Sequence, residues 1–185
     1  MNFKRSHALA VVLSMALVGC AGSGWHPRDE GAMAEGATSE SARIIGRFKA
    51  EDSSLQRFFD SAHAYAVFPS IGKGGFVVGG AHGEGEVHSG GELVGYSTMT
   101  QVSVGLQLGG QEYAELIFFR DAQTFADFCR GNYELSAQAS AIAVTAGAAT
   151  TASYDRGVAI FTMPLAGLMY EASVGGQKFS YTSIR

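Results

Sequence analysis

Two histidines and two glutamates alternate along one short segment of this chain, in the order His82, Glu84, Glu86 and His88. Alternate side chains of a β-strand point to one face, so these groups would share a face if the segment is a strand. Imidazole and carboxylate groups bind zinc and similar ions, which makes metal binding a hypothesis. However, His82 and His88 would lie about 20 Å apart on an extended strand, so one ion could contact only adjacent members. We favour a solvated face of an antiparallel sheet, and no metal site is predicted.

Catalytic motifs are absent from the sequence. It has no Gly-x-Ser-x-Gly, His-Glu-x-x-His, Cys-x-x-Cys or Gly-x-x-x-x-Gly-Lys-[Ser/Thr] pattern. The segment Gly72–Gly75 is only superficially similar to the last of these, and we interpret it as a turn. Glu115 falls between Tyr113 and Ile117 on one strand face, where burial would raise its pKa, although we favour an edge-exposed carboxylate. No catalytic residue and no cofactor are therefore predicted.

Four basic residues flank the apolar positions of two predicted helices near the N-terminus: Arg43, Arg47, Lys49 and Arg57. Such an arrangement can lay a helical surface on anionic lipid headgroups. Acidic residues are interspersed, and each basic residue near a membrane contributes only about 1 kcal/mol. From the periodicity alone, we favour helices that pack on a sheet and leave a basic edge able to face lipid.

The N-terminus has the pattern of a bacterial lipoprotein signal. Lys4 and Arg5 precede an apolar run over residues 8–18, which is well short of the about 20 residues that span a bilayer as a helix. The run ends in Leu17-Val18-Gly19-Cys20, a lipobox. We therefore predict a signal peptide over 1–19, a lipid anchor on Cys20 and a flexible tether over 20–38. Ala21, in place of the Asp that retains lipoproteins in the inner membrane, favours the outer membrane, with the domain facing the periplasm.

Composition limits the remaining possibilities. The net charge is −4, and removal of the signal would leave 11 basic against 17 acidic residues, so nucleic acid is not an expected partner. The chain has two cysteines, and a lipidated Cys20 leaves Cys129 without a partner, which we interpret as a small buried hydrophobe. The 25 glycines indicate many turns and close backbone contacts in a β-rich fold. The length after the signal fits one domain, assigned to 39–185.

Hydrophobic periodicity predicts two helices followed by short strands. The helices are expected over about 39–50 and from Ser53, where Ser53 and Gln56 have capping-box spacing. The strands and intervening elements are then expected in this order: a strand over 64–68 ended by Pro69, a strand over 75–87, a turn at Gly90-Gly91, a strand over 93–96, a strand over 101–108, a turn at Gly109-Gly110, a strand over 113–119, a helix over 122–130 capped by Asp121, and strands over 139–149, 158–163, 168–174 and 179–184. This order predicts an α+β fold, with the N-terminal helices packed on a twisted antiparallel sheet or barrel-like β structure.

Several motifs in a fixed order resemble the SYLF lipid-binding domain, which is also described as a yeast-type actin-binding domain. They are Ala64-Tyr65-Ala66-Val67-Phe68-Pro69, Lys73-Gly74-Gly75-Phe76, Gly79-Gly80, Gly95-Tyr96, Gly105-x-Gln107-x-Gly109, Gly167-Leu168 and Gly176-x-Lys178-Phe179. The resemblance covers about 44–185, and bacterial members of the family are secreted or lipid-anchored.

The resemblance implies a non-enzymatic domain that binds anionic phospholipids, notably phosphoinositides in eukaryotic members. It implies lipid-binding roles for Arg43, Arg47, Lys49, Arg57 and Lys73. Actin is not an expected partner, because an exported lipoprotein would normally meet none, and protein partners are left open. The alternative is a structural or partner-docking envelope lipoprotein whose membrane contact is the anchor alone.

Overall fold

The structure is a computed structural model that describes residues 27–130, 133–135 and 141–184, with side chains for 38–130, 141–169 and 175–184. Helices and a six-stranded sheet make up the fold, which confirms the predicted α+β class. The helices are α1 (Pro27–Glu51), α2 (Gln56–Ser61), α3 (Ala122–Cys129) and α4 (Ala148–Thr151), with a 3₁₀ turn at Ser53–Leu55. The strands are β1 (Ala64–Gly75), β2 (Val78–Ser89), β3 (Glu92–Phe119), β4 (Tyr133–Leu135), β5 (Ile142–Ala143) and β6 (Val158–Ser183).

Helix α1 begins well before the predicted start at about residue 39. The signal peptide, Cys20 and the first part of the tether lie outside the described residues, but the tether predicted over 20–38 is helical from Pro27 onward. A flexible coil was therefore the wrong expectation for 27–38. Proline suits the first turn of a helix, where its missing N–H would have no intrahelical partner. Farther along α1, Ile44 and Phe48 are fully buried.

The connection from α1 to α2 depends on Asp52 rather than on Ser53. The Asp52 carboxylate accepts hydrogen bonds from the backbone N–H of Ser54 (3.0 Å) and from the Ser54 hydroxyl (2.6 Å), so Asp52 is the N-cap of the 3₁₀ turn. Its other oxygen accepts a bond from the backbone N–H of Ala149 at 2.7 Å. One buried carboxylate thus caps the turn and holds α4 against it, which the capping-box spacing did not reveal.

Strands β1 and β2 form a long hairpin. Pro69 does not end β1 as predicted, because the pairing register with both neighbouring strands shifts around it, and a bulge accommodates the missing N–H. The turn predicted at Gly90-Gly91 joins β2 to β3, and both glycines have positive φ, 61° and 83°. This backbone suits a tight hairpin, since glycine adopts positive φ without steric cost.

The two longest strands, β3 and β6, each continue through positions predicted to be turns. Gly109-Gly110 does not reverse the chain, and β3 runs unbroken from Glu92 to Phe119. Likewise, the three strands predicted after residue 158 are one strand, β6, which pairs with β3 from Phe119↔Val158 to Gly95↔Ser183. The strand predicted over 139–149 is wrong for most of its length, since α4 occupies its end and β5 has only two residues within the described part.

The sheet curls on itself because β1 pairs with two strands. One edge of β1 pairs with β2, and its other edge pairs with the second half of β3, while β2 pairs with the first half of β3. Rings of Phe68 on β1 and Phe179 on β6 therefore meet across the interior, with centroids 5.6 Å apart, although these strands are not paired.

Two apolar clusters lie on opposite faces of the curled sheet. The inner cluster contains Phe68, Ile117 and Phe119, and α3 contributes Phe128, whose ring lies 4.7 Å from that of Phe119. The Asp121 carboxylate caps α3 as predicted, accepting from the backbone N–H of Thr124 at 2.9 Å. The outer cluster lies under the helices, where Ile44, Phe48, Leu55 and Phe58 meet residues of β3 and β6 such as Leu116, Phe118 and Phe161. The helices thus cover only one region of the outer face.

Candidate lipid-contact surfaces

The basic residues implied in lipid binding do not form one site. Arg43 and Arg47 are exposed on α1, and an Arg43 guanidinium nitrogen lies 3.4 Å from a carboxylate oxygen of Glu40. Lys49 and Arg57 instead contact the helices themselves: the Lys49 ammonium lies 4.2 Å from the centre of the Phe59 ring. Arg57 donates to the carbonyl oxygens of Ala149, at 2.6 Å, and Ala152. The two Arg57 hydrogen bonds join α2 to the α4 region.

Lys73 lies far from these helices. It pairs in register with Ala81 and Gln111, close to the β1–β2 turn. Tyr65, whose ring packs 5.2 Å from that of Phe59, is on the same strand eight residues earlier. Eight residues of extended strand span about 26 Å, so Lys73 cannot contact the same headgroup as the helical residues. Among the five implied positions, only Arg43 and Arg47 share an open surface.

A large apolar surface occupies the part of the sheet that the helices leave uncovered. Eight side chains there are between 53% and 91% exposed, and we call them the apolar patch: Phe76, Val77, Val78, Val102, Val104, Leu106, Leu108 and Leu168. Strand register joins them, because Val78 is the partner of Val104. The β1–β2 turn also lies on β3, where the N–H groups of Gly105 and Gln107 donate to the carbonyls of Val77 (2.9 Å) and Phe76 (2.8 Å).

In this part of β3, apolar side chains face solvent and polar side chains face the interior, the reverse of the usual arrangement. Val102 and Leu106 face outward and are exposed, whereas Ser103 and Gln107 are fully buried on the inner face. The Ser103 hydroxyl donates to the Gln107 side-chain oxygen at 2.8 Å, so these polar groups satisfy one another. A Cβ at Gly79 would collide with the Gln107 side chain, which shows how closely the interior is packed. The sequence predicted this strand from its alternation, but alternation alone did not identify the exposed face.

Glu115 is buried in the interior and is not an edge-exposed carboxylate as favoured from the sequence. Its neighbours on the inner face, Tyr113 and Ile117, belong to the inner cluster. The Gln177 amide donates to one carboxylate oxygen at 2.9 Å, and the other oxygen has no hydrogen-bond partner among the described residues. Burial raises the pKa of the Glu115 carboxyl to about 7, and the Gln177 hydrogen bond only partly opposes this rise. The carboxyl therefore titrates near neutrality.

The histidine and glutamate segment lies on β2, with alternating exposure as predicted. His82 and Glu84 are solvated, but Glu86 is 2% exposed and the side chain of His88 is 12% exposed, so a solvated face is the wrong description for that half. The His88 Nε2 atom lies 3.1 Å from a Glu86 carboxylate oxygen, and the His88 ring stacks on Tyr65 with centroids 4.9 Å apart. Within the described ranges, no three His, Cys, Asp or Glu side chains converge as a metal site would require.

Two further findings concern the membrane and the thiol. Cys20, the predicted anchor, lies outside the described residues. None of the helices in the described ranges is both long and apolar enough to cross a bilayer.

Cys129 is partly buried against the inner cluster, where burial raises the pKa of its thiol. This placement agrees with its interpretation as a packing residue.

Comparison with known proteins identifies a distant relative. The chain is similar to a protein named Beta cell expansion factor A from Aeromonas veronii, with 29% identity over 130 residues. The match covers 70% of this chain and 49% of the relative, so the chain spans about half the length of that protein. No protein-family profile matches the chain.

Proposed function

We propose that this chain is a non-enzymatic, lipid-anchored envelope protein whose SYLF-like domain binds phospholipid membranes. The observation that carries the proposal is the apolar patch. Soluble monomeric proteins rarely expose a contiguous apolar surface of this kind unless it meets a membrane or another protein. The motif order that resembles the SYLF family, together with a lipobox ending at Cys20, favours the membrane. The proposed location is the outer membrane, with the domain in the periplasm.

The free energy of burying the apolar patch can be compared with the electrostatic contribution of the α1 arginines, and the comparison indicates which surface contributes more to membrane affinity. Full burial of a valine or leucine side chain contributes about 1.5–3 kcal/mol. Val102, Val104, Leu106 and Leu108 are 56–68% exposed. Moving these four into hydrocarbon would therefore contribute about 4–7 kcal/mol. Arg43 and Arg47 would each add about 1 kcal/mol near an anionic surface. We therefore assign the affinity to the apolar patch and the preference for anionic lipid to the α1 pair.

Flotation with liposomes tests the proposal. The mature chain with Cys20→Ser, which lacks the acyl anchor, is mixed with neutral or anionic vesicles at low and high salt. We expect flotation with both, and more with anionic vesicles at low salt. The double variant Val104→Ser/Leu106→Ser should lose most of this binding. Ile184→Ser is the matched control, because Ile184 is 48% exposed but follows the last residue of β6, 16 positions beyond Leu168 along the chain.

The outcomes separate the two candidate functions. Absence of flotation by the unlipidated chain, with an intact thermal unfolding transition, would contradict membrane binding by the domain. The apolar patch equally fits a protein partner, which is the second candidate function. Capture of one partner by the wild-type chain, lost in the double variant and kept in Ile184→Ser, would then favour the docking role.

A further inference from the structure

One hydrogen bond joins two distant parts of the long β3–β6 ribbon inside the fold. The two strands pair from Gly95 to Phe119 of β3, and the partner of Gln177 in this pairing is Gln101. Gln101 precedes Glu115 by 14 residues, which is about 46 Å of extended strand. The Gln177 amide nevertheless donates to the Glu115 carboxylate at 2.9 Å. The ribbon therefore bends back on itself, and this bond links its two halves across the interior.

Backbone irregularities lie on both sides of Glu115. Its partner on β1 is Phe68, directly before the register shift around Pro69. The register between β3 and β6 shifts as well, between Glu112 and Tyr113. Bulges bend a strand and interrupt its ladder of hydrogen bonds. Glu115 is therefore placed beside the bend of the ribbon.

The side chains that surround Glu115 in the interior provide no positive charge. Its neighbours on the inner face of β3 are Tyr113 and Ile117, and the other titratable groups at the inner cluster are Cys129 of α3 and Tyr181 of β6. Tyrosine and cysteine side chains are not cationic in either protonation state. An ionised Glu115 would therefore have no counter-ion from these elements.

The charged residues of β1, β2 and β6 lie elsewhere. Lys73 of β1 is in register with a β3 residue four positions before Glu115, which corresponds to about 13 Å along the strand. Other charged or titratable side chains are next to inner-cluster residues in the sequence and point to the opposite face of the sheet: Glu86, His88 and Lys178. Within the described residues, Glu115 thus has a hydrogen bond from Gln177 and no ion pair.

The protonated form of Glu115 suits this interior and the ionised form does not. The side chain is fully buried, and its second oxygen has no hydrogen-bond partner among the described residues. Burial raises the pKa of the carboxyl to about 7, and the bond from Gln177 opposes this only in part. A buried carboxylate without a cation is unfavourable, so ionisation favours any movement that brings water to it. Gln177 is only partly buried, and its displacement would do so.

We propose that Glu115 is a pH-dependent switch: when protonated it holds residues 176–183 of β6 against the interior through Gln177, and when ionised it releases them. This segment carries Phe179, whose ring lies 5.6 Å from that of Phe68 in the inner cluster. Release separates these rings and admits water to the interior. The switch does not involve the apolar patch and does not depend on membrane binding.

Amide hydrogen exchange of the mature Cys20→Ser chain between about pH 5.5 and 8 tests the switch. The exchange rate of 176–183 in the chain with Glu115 is divided by the rate in Glu115→Gln at the same pH, which cancels the direct effect of hydroxide. Opening lets the carboxyl release its proton, so the closed form is favoured at low pH and loses this advantage as the pH rises through the closed-form pKa of about 7. With an open-form pKa of about 4.3, the open population should increase about 30-fold over this range.

The ratio of rates should accordingly rise with pH by at least about tenfold. Glu84→Gln is the matched control, because Glu84 is an exposed carboxylate on β2. Its exchange over 176–183 should equal that of the chain with Glu84 at every pH. A ratio between the Glu115 and Glu115→Gln chains that stays constant with pH overturns the proposal.

Dilute urea separates local release from global unfolding. About 1 M urea accelerates exchange through global unfolding by at least about fivefold, whereas a local opening exposes little surface and responds weakly. A pH-dependent rise over 176–183 that is insensitive to urea supports the switch, and a rise that urea accelerates like global unfolding overturns it. If Glu115→Gln does not fold, the rate of 176–183 relative to that of 44–51 on α1 in the unsubstituted chain should rise with pH by the same factor. A constant relative rate would again overturn the proposal.

Discussion

Replacement of Glu115 by glutamine is expected to remove one pH dependence from the stability of the domain. Burial raises the pKa of this carboxyl to about 7, and the hydrogen bond from Gln177 lowers it only in part. In the unfolded chain the same carboxyl titrates at about 4.3. At pH values between these two pKa values, Glu115 keeps its proton in the folded protein but has released it in the unfolded chain. The wild-type protein is therefore stabilised by protonation of Glu115 in mildly acidic solution.

The sign and size of the effect follow from this difference. A raised carboxyl pKa contributes stability that is complete below the unfolded value and is lost as the pH rises through the folded value. At about 1.36 kcal/mol per pKa unit, the wild-type free energy of unfolding should fall by about 2.5 kcal/mol between about pH 5 and pH 8 from this group alone. Glutamine has nearly the same shape and can still accept from Gln177, but it has no proton to lose.

Urea unfolding of wild type and Glu115→Gln across about pH 5 to 8 measures the effect. The difference in the free energy of unfolding between the two proteins should move in favour of the variant as the pH rises. Glu84→Gln is the matched control, because Glu84 is an exposed carboxylate on β2, and its curve should parallel that of wild type. Parallel curves for Glu115→Gln and wild type would refute the argument from burial.

Three further substitutions test the packing that positions the two surfaces. Asp52→Ala should cost about 2–3 kcal/mol of unfolding free energy in urea titration, because it removes the cap and leaves the Ala149 N–H unpaired. Burial raises the pKa of Asp52, but the hydrogen bonds from Ala149 and its neighbours lower it overall, so this cost should shrink as the pH falls through the acidic range. Gly79→Ala should destabilise by about 1–3 kcal/mol in the same assay, because its Cβ meets the Gln107 side chain, which is fully buried and would have to break its hydrogen bond with Ser103 to move aside. Gly46→Ala on α1 meets nothing within 4 Å and should stabilise by about 1 kcal/mol, and a loss of stability would contradict the exposed placement of that face.

Two local signals in the sequence predicted the local structure correctly. The cap at Asp121 and the turn at Gly90-Gly91 follow from side-chain and backbone chemistry confined to a few residues. Gly109-Gly110 was predicted as a turn by the same logic, but β3 continues because it has a partner on each side there: β1 pairs with Gly109 and Gly110, and so does β6. Pairing over a whole strand outweighs the turn preference of two glycines, and this pairing is long-range, so the local sequence did not reveal it.

The candidate surfaces show the same division between local and long-range information. The sequence identified Arg57 as basic and placed it beside apolar helical positions, but its contacts with Ala149 and Ala152 join segments more than 90 residues apart. Likewise, the sequence predicted a strand over 101–108 but not its orientation, and the structure places Ser103 and Gln107 inside while Val102 and Leu106 are exposed. Which face of a strand is buried depends on the whole sheet, whereas the alternation of apolar and polar residues along it can be seen in the local sequence.

Salt dependence can separate the contributions of the two proposed membrane contacts. Charges on exposed side chains are screened beyond about 8 Å at physiological ionic strength, so the contribution of Arg43 and Arg47 should diminish as salt is added. Burial of Val104 and Leu106 in hydrocarbon has no such screening. If the apolar patch carries most of the affinity, Arg43→Glu/Arg47→Glu should reduce flotation at low salt and have little effect at high salt. A variant of the α1 pair that abolishes flotation at every salt concentration would instead assign the affinity to charge and would contradict the apolar argument.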